Sequence, residues 1–507
     1  MKRSYLKSIC LSCFTFVLGV SSVFSTTIKP NILFIIIDDM GWKDLSVAGS
    51  RYYETPHIDA LAREGLRFTN AHSAAPTCTP SRGAIYSGKF PARTKLTAVF
   101  NEHEGPDDRL YAKSKYSGER DQTLEALHRH ALPSGEFILP QALAAGGYRT
   151  GFFGKWHIGE CANYQPDDRG FDVAKGYRTS YVPTSKSGHW MKTFQKYGAQ
   201  LEGVDRDAYV ADVLTDECID FIASNQDQPW MAVLSHYLVH TPIQPKPEKL
   251  AHYHNKAKTD HDNPGYASMV ESVDESVGRV LDTLKQLKLD ENTLVIFTSD
   301  NGGLTLKSTS NYPLMGGKSF PFEGATKVPF IVKWPGHIQP GISDQRIVGT
   351  DIYPTMLSAA GLPLRPEQHV DGVDLIPVMT AHASLEPRPI IVHYPHYTHA
   401  TGPFSSITLG GWKLIRFYND EFGAYLLYDL NNDPYEREDL ASTHPEKLAQ
   451  LAGQLDRALV AMEAEMPTPN PNYKPSKRAL NLKTTQALAD REWKRFQSRA
   501  DMTSASE

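Results

Sequence analysis

Ile32-Leu33-Phe34-Ile35-Ile36-Ile37-Asp38-Asp39 is the stretch on which the fold turns. Six apolar residues stand in a row with no polar residue alternating among them. Both faces of such a segment need cover, as in a strand inside a parallel sheet. The run then passes directly into two carboxylates. Three further apolar runs likewise end in polar residues. Residues 294–297 lead into Thr298-Ser299-Asp300-Asn301-Gly302-Gly303. Residues 152–153, following Arg149, lead into Gly154-Lys155-Trp156-His157. Residues 230–234 lead to His236 and then His240-Thr241-Pro242. Residues 328–332 form a fifth run, also expected to be a parallel strand. Amphipathic helical patterns separate these runs. One has Thr55 as cap and Pro56 in its first turn, and carries Ile58, Leu61 and Ala62 before stopping near Gly65. Another carries Met269, Val273, Val277, Val280, Leu281, Leu284 and Leu287. Strands alternating with helices predict an α/β sandwich around a large, mainly parallel sheet.

Beyond about residue 385 the pattern changes. Segments 390–393, 406–409, 412–416 and 424–429 read as short antiparallel strands, with turns at Gly410-Gly411 and 431–434. A helix over 445–463 follows. These predict a smaller C-terminal α+β domain at 386–466, after a main domain at 26–385. Residues 467–507 form a tail, with an extended Pro- and Asn-rich linker at 467–477 and a disordered end at 502–507. No internal repeat is found.

The first 25 residues read as an export signal. Lys2, Arg3 and Lys7 precede a mostly apolar run at 9–20, and Val23 and Ser25 suit the −3 and −1 positions of a cleavage site. The run falls short of the roughly 20 apolar residues of a membrane span. An exported protein, periplasmic or secreted and without stable membrane insertion, is expected. At 507 residues, 40% hydrophobic and 22% charged, the composition is that of a globular protein. Its net charge of −5 offers no global attraction to nucleic acid or anionic membrane, so an anionic ligand must be held by a local cluster of cations.

Of the five cysteines, Cys10 and Cys13 leave with the signal. The remaining three leave at least one thiol without an intramolecular partner. Cys218 lies on an apolar helical stripe with Val210, Val213, Leu214, Phe221 and Ile222, and is either core or paired with Cys161. Cys78 is the odd one out.

In open α/β sheets, ligands bind outside the carboxyl ends of the strands. The sheet therefore gathers the polar residues that follow these runs. Asp38, Asp39, Asp300 and Asn301 offer hard oxygen ligands, suited to calcium or magnesium rather than zinc. Either pair alone would read as turn residues; two pairs at strand ends favour a metal. Lys155, His157, His240 and Lys318 add a basin for a tetrahedral anion. His393, His396 and His399 lie in an aromatic loop as candidate substrate contacts. Thr79 and Pro80 look like a helix start, placing Cys78 at a helix N-terminus that favours a bound anion.

Cys78-Thr79-Pro80-Ser81-Arg82 resembles the modification signature of the type I sulfatases of the alkaline phosphatase superfamily. The resemblance extends to Pro30-Asn31-Ile32 leading to Asp38-Asp39, Thr55-Pro56-His57-Ile58-Asp59, Gly154-Lys155-Trp156-His157-Ile158-Gly159, His240-Thr241-Pro242, Asp300-Asn301-Gly302 and Gly316-Gly317-Lys318. Tyr428-Asp429-Leu430, Asp433-Pro434 and Glu436 resemble the family's C-terminal domain. About residues 29 to 465 are covered. Three positions depart from the pattern. Met315 replaces an arginine, Ser319 stands in Gly-Gly-Lys-Gly, and Glu323-Gly324-Ala325-Thr326-Lys327 replaces Glu-Gly-Gly-X-Arg.

The resemblance implies an alkaline-phosphatase-like mixed sheet and hydrolysis of sulfate esters on a sulfated carbohydrate or polysaccharide. It implies one calcium ion held by Asp38, Asp39, Asp300 and Asn301 together with residue 78, Cys78 in its modified form. It also implies a separate maturation enzyme that oxidises Cys78 to formylglycine. The hydrated aldehyde offers one hydroxyl to attack sulfur and a second whose deprotonation expels sulfate. By the same resemblance Arg82 and Lys155 stabilise the hydrate, His157 is its base, and Lys318 with His240 serves the sulfate and the leaving oxygen. Competing expectations are a formylglycine-dependent phosphodiesterase or phosphonate monoester hydrolase, and a non-catalytic carbohydrate-binding protein.

Overall fold

The computed structural model describes residues 29–99, 107–112, 118–119, 121–177, 188–194, 201, 203–305, 308–419 and 424–477. The export signal and the chain end lie outside them. The main sheet has eight strands: β1 (Asn31–Ile37), β2 (Leu66–Phe68), β3 (Arg149–Gly154), β4 (Val173–Lys175), β5 (Trp230–Ser235), β6 (Thr293–Ser299), β7 (Phe330–Lys333) and β8 (Gly341–Ser343). Their order is β8-β2-β7-β6-β1-β5-β3-β4. β1 is central, and every one of its residues is buried. Leu33, Ile35 and Ile37 enter one core, which includes Val273 and Val277. Ile32, Phe34 and Ile36 enter the other, with Ile85, Tyr353 and Met356. Two covered faces explain the absence of polar alternation in its sequence.

β1 pairs in parallel with β5 and β6, and β3 pairs in parallel with β5 and β4. β7 is the exception, antiparallel to both β6 and β2. This corrects the expectation for 328–332. Hydrophobicity reports cover on both faces and carries no strand direction. The reversal has a structural consequence. An antiparallel neighbour needs no crossover to the far edge, so the connection from Ser299 to Phe330 begins and ends at the carboxyl edge of β6 and brings Asp300, Asn301 and Lys318 there.

Helix α1 spans Pro56–Glu64, α2 Cys78–Ser87, α3 Val210–Ser224 and α4 Pro264–Gln286. Thr55 does not cap α1 through its side chain. Asp274 of α4 does that work, accepting from His57 N at 3.2 Å and Ile58 N at 2.8 Å. The free N–H groups of a helix start donate to any nearby carboxylate, and tertiary packing supplied one 217 residues away.

The C-terminal sheet is antiparallel throughout: β9 (Ile390–Tyr394), β10 (Phe404–Leu409), β11 (Trp412–Phe417) and β12 (Tyr425–Asp429). Leu451, Leu455 and Leu459 of α5 (Pro445–Ala461) share a core with Ile391, Ile407, Leu414 and Leu427. A second cluster joins Phe404, Ile415 and Phe417 to Phe320 and Phe322 of the main sheet's connection. A buried ionic seam runs beside it. Glu323 accepts from Lys413 and Arg346, each at 3.0 Å, while Lys413 also meets Glu436 at 2.8 Å. The segment expected as an extended linker is anchored: Thr468–Pro469 pairs with Thr123–Leu124. Cys161 and Cys218 are both free thiols, so the pairing left open by the sequence is not made. Cys218 is fully buried core. Among the described residues no helix is long and apolar enough to cross a membrane.

Candidate active site

The strand registers set the site. Ile36 lies opposite Ser235, Ser235 opposite Gly154, and Ile37 opposite Ser299. Four strands therefore end at one level, and the residues that follow them meet. Asp39 N donates to Asp300 Oδ1 at 3.2 Å, and Asn301 Nδ2 donates to Asp39 Oδ1 at 2.8 Å. Asp39 itself adopts φ +63°, a left-handed conformation that turns the chain sharply just past the strand. Tyr266 OH, also bonded to Asp44 at 2.6 Å, donates to the Asp39 carbonyl at 3.3 Å and supports this bend.

Helix α2 brings Cys78 to the carboxylates from its first residue. Cys78 Sγ lies 3.3 Å from Asp38 Oδ1 and 3.6 Å from Asp39 Oδ1. Two lysines complete the inner cluster. Lys155 Nζ donates to Asp38 Oδ2 at 2.6 Å. Lys318 Nζ donates to Asp39 Oδ2 at 2.8 Å and to Cys78 Sγ at 3.3 Å. His240 Nε2 stands 3.6 Å from Asp39 Oδ2. Arg82, one turn along α2 and fully buried, donates through Nε to Asp300 Oδ2 at 2.7 Å. Its other donor bonds Lys155 O at 2.6 Å and Ser235 Oγ at 2.7 Å.

The protonation states follow from this packing. Burial opposes ionisation of Asp38, but Lys155 and His240 overcome it and hold the carboxyl at about 2. Asp39 is likewise lowered against its burial, chiefly by Lys318. Burial alone would neutralise the lysines, yet Asp38 raises Lys155 and Asp39 raises Lys318. His157 is pushed well below its ordinary value by burial and then by Lys155 and Arg82, so its ring is neutral at pH 7. His240 is lowered by burial and Lys318. Burial and Asp300 push the Cys78 thiol well up. An unmodified Cys78 is therefore a poor nucleophile, because the thiolate is the reactive form.

Ligating atoms of Asp38, Asp39, Cys78 and His240 all lie within 4.8 Å of one another. Asn301 Oδ1 is a buried acceptor with no hydrogen-bond partner. Two ionised carboxylates and a free amide oxygen are a donor set for a hard cation. Asp300 stands beside this set, its Oδ2 on Arg82 and its Oδ1 on Asp39 N.

Asp38, Asp39, Asp300, Asn301, Lys155, His240 and Lys318, together with Cys78 and Arg82, thus fall in one cluster, whereas His236 turns away to Ser276 Oγ. The histidines of the aromatic loop divide differently. His393 bonds Ser405 Oγ at 2.6 Å and Glu465 O at 2.9 Å, which gives it a packing role. His396 bonds Thr97 at 2.8 Å. Sequence patterns missed Ser235, which bridges Arg82 and Lys155 O from the end of β5. A serine closing a strand carries no distinguishing signal. They also missed Asp44 and Tyr266 behind Asp39, whose partnership spans 222 residues.

The carboxyl edge of the α/β sheet thus joins paired carboxylates, basic side chains and a helix-borne cysteine, and the Asp38, Asp39, Cys78 and His240 group within it could hold a metal ion. The chain belongs to the sulfatase family, whose model matches residues 30–362. The C-terminal part, residues 315–465, matches the family described as N-sulphoglucosamine sulphohydrolase, C-terminal. N-acetylgalactosamine-6-sulfatase of Sus scrofa is 32% identical over 353 residues, covering 66% of this chain and 62% of that protein. The chain thus spans less than two thirds of that relative's length. N-acetylgalactosamine-6-O-sulfatase of Bacteroides thetaiotaomicron is 25% identical, covering 84% of this chain and 93% of that protein. The crystal structure of Ps i-CgsB, also solved in complex with k-i-k-neocarrahexaose, superposes with a TM-score of 0.70 at 25% identity, covering 92% of this chain and 99% of that one.

Proposed function

We propose that this chain is an exported sulfatase that hydrolyses sulfate esters on a sulfated carbohydrate, with formylglycine made from Cys78 by a maturation enzyme. The carrying observation is the placement of the Cys78 side chain within 3.6 Å of both Asp38 and Asp39 and beside the Lys318 ammonium. Relatives named for sulfated amino sugars, and the carbohydrate-bound neighbour, support the substrate class.

Asp38, Asp39, Asn301 and Asp300 would hold a calcium ion, and the buried Asn301 Oδ1 without a partner fits that role. Calcium bound there supplies positive charge that polarises a sulfate oxygen and acidifies a neighbouring hydroxyl. The hydrated aldehyde supplies two hydroxyls on one carbon, one for attack and one for release of sulfate. The chain's own side chains do the rest. Lys155, kept protonated by Asp38, holds an oxygen at residue 78. Arg82 orients the start of α2 and retains a buried terminal nitrogen without a partner. His157, held well below its ordinary value by burial and then by its cationic neighbours, takes a proton. His240 Nδ1 lies 2.6 Å from Thr241 O, which needs the hydrogen on that nitrogen and leaves Nε2 bare in the neutral ring. Proton donation to the leaving oxygen therefore falls to Lys318, whose charge Asp39 maintains.

The test has two arms. Mass spectrometry of the peptide spanning Cys78 is expected to show an aldehyde in place of the thiol. Turnover is then compared on 4-nitrophenyl sulfate, bis(4-nitrophenyl) phosphate and a panel of sulfated oligosaccharides. Preference for the phosphodiester would replace this reading with a phosphodiesterase. An unmodified thiol with no turnover would leave a carbohydrate-binding protein.

A further inference from the structure

Lys318 is presented by a turn whose backbone does not suit its sequence. Phe320 N donates to Gly317 O at 2.9 Å, closing a four-residue turn with Lys318 and Ser319 at its centre. Ser319 has φ +75°. A positive φ at the third position is the requirement of a type II turn, where glycine is the residue without steric cost. Serine there is strained, and the turn cannot relax. Ser319 N donates to Pro76 O at 2.9 Å, tying the turn to the segment just before Cys78. Ser319 O accepts from Thr398 Oγ1 of the C-terminal domain at 3.3 Å. Lys318 N donates to Gly303 O at 3.0 Å, and Phe320 is buried against the C-terminal sheet.

Both backbone groups of Ser319 are therefore engaged, whereas its hydroxyl makes no hydrogen bond among the described residues. The residue is also not sealed, with 5% of its surface exposed. Backbone strain that persists at an active site points to a side chain with a job there. Polar groups held in nearly closed sites normally have a partner.

We propose that Ser319 is a specificity-determining residue whose hydroxyl hydrogen-bonds a sugar hydroxyl of the carbohydrate seated beside Lys318. This rests on the sulfatase reading above and adds a contact to the sugar, separate from the chemistry at sulfur.

Ser319→Ala keeps the strained backbone and deletes the hydroxyl. Ser319→Gly deletes the hydroxyl and relieves the strain. The readout is the ratio of kcat/KM on the best carbohydrate sulfate of the panel to kcat/KM on 4-nitrophenyl sulfate, which has no sugar. Thermal melts confirm that each variant is folded. Both substitutions are expected to lower the ratio on the order of tenfold, the loss of one hydrogen bond, chiefly through KM. A wild-type ratio in both variants overturns the proposal, since activity then falls on both substrates together or not at all. A wild-type enzyme that cleaves the aryl sulfate but no carbohydrate sulfate also overturns it, with the sulfatase reading intact. Absence of turnover on every sulfate defeats that reading instead.

Discussion

The ammonium of Lys318 bridges Cys78 and Asp39, 3.3 Å from the sulfur and 2.8 Å from the carboxylate. One cation thus touches the helix-borne cysteine and a carboxylate of the cluster at once. Its charge is maintained by Asp39 against the cost of burial. Lys318 reaches Asp39 across 279 residues of sequence and Cys78 across 240.

Lys318→Ala is expected to lower kcat by about 10²–10³, the usual cost of one aimed donor to a developing oxyanion. The backbone hydrogen bonds at Gly317, Lys318 and Ser319 keep the turn, but buried Asp39 loses its chief cationic partner, so the melting temperature should fall as well. A drop in melting temperature without loss of kcat would assign Lys318 a structural role.

Cys78→Ser is expected to abolish steady-state turnover with the fold intact. Serine fills nearly the same space at the start of α2, but it offers a single hydroxyl. The sulfated enzyme would then have no second hydroxyl with which to expel sulfate. Wild-type-like turnover by this variant would refute residue 78 as the nucleophile.

Arg82→Met should act on stability as well as activity. Arg82 and Asp300 are both fully buried and meet at 2.7 Å. Removing the guanidinium leaves the carboxylate uncompensated, a loss of about 3–5 kcal/mol. Urea unfolding of the variant measures it; an unchanged midpoint would mean that Asp300 finds another partner.

Chelation should lower the melting temperature independently of turnover. Asp38 and Asp39 are adjacent buried carboxylates, and a bound cation stabilises the folded chain by mass action, about 2.7 kcal/mol at a hundredfold excess over Kd. Calorimetry with EGTA, followed by added calcium, is expected to show a fall and a recovery. A melt indifferent to both would exclude the site from calcium binding.

Acid lability should begin with buried histidines. His236 is fully buried, bonds Ser276 Oγ at 2.8 Å, and has its pKa depressed by burial to about 3. The unfolded chain takes up the proton near 6.5 while the folded chain refuses it. Stability is complete above that value and declines as the pH falls toward about 3, at about 1.4 kcal/mol per pH unit for one proton. His236→Asn should flatten that slope in unfolding curves recorded across the window; an identical slope would assign the acid response to other groups.

Much of the site was legible in advance because strand ends are legible. An apolar run that stops at Asp38-Asp39 or Asp300-Asn301 marks a carboxyl edge, and a mainly parallel sheet assembles such edges. Cys78 to Arg82 was legible as a motif. The cap of α1 was not, since Thr55 is the local choice and Asp274 arrives from another helix. Nor was the anchoring of residues 467–477, whose Pro- and Asn-rich composition says nothing of the strand at Thr123–Leu124 they would meet.

The sequence by itself determined where the buried strands lie, which polar residues follow them, and which cysteine heads a helix, because hydrophobic cover and helix starts are local properties. Tertiary structure alone decided that β7 runs backwards, that Asp300 turns to Arg82, and that Ser319 is held strained between Pro76 and Thr398. Direction, partner choice and strain arise from contacts between segments hundreds of residues apart, which no local pattern encodes.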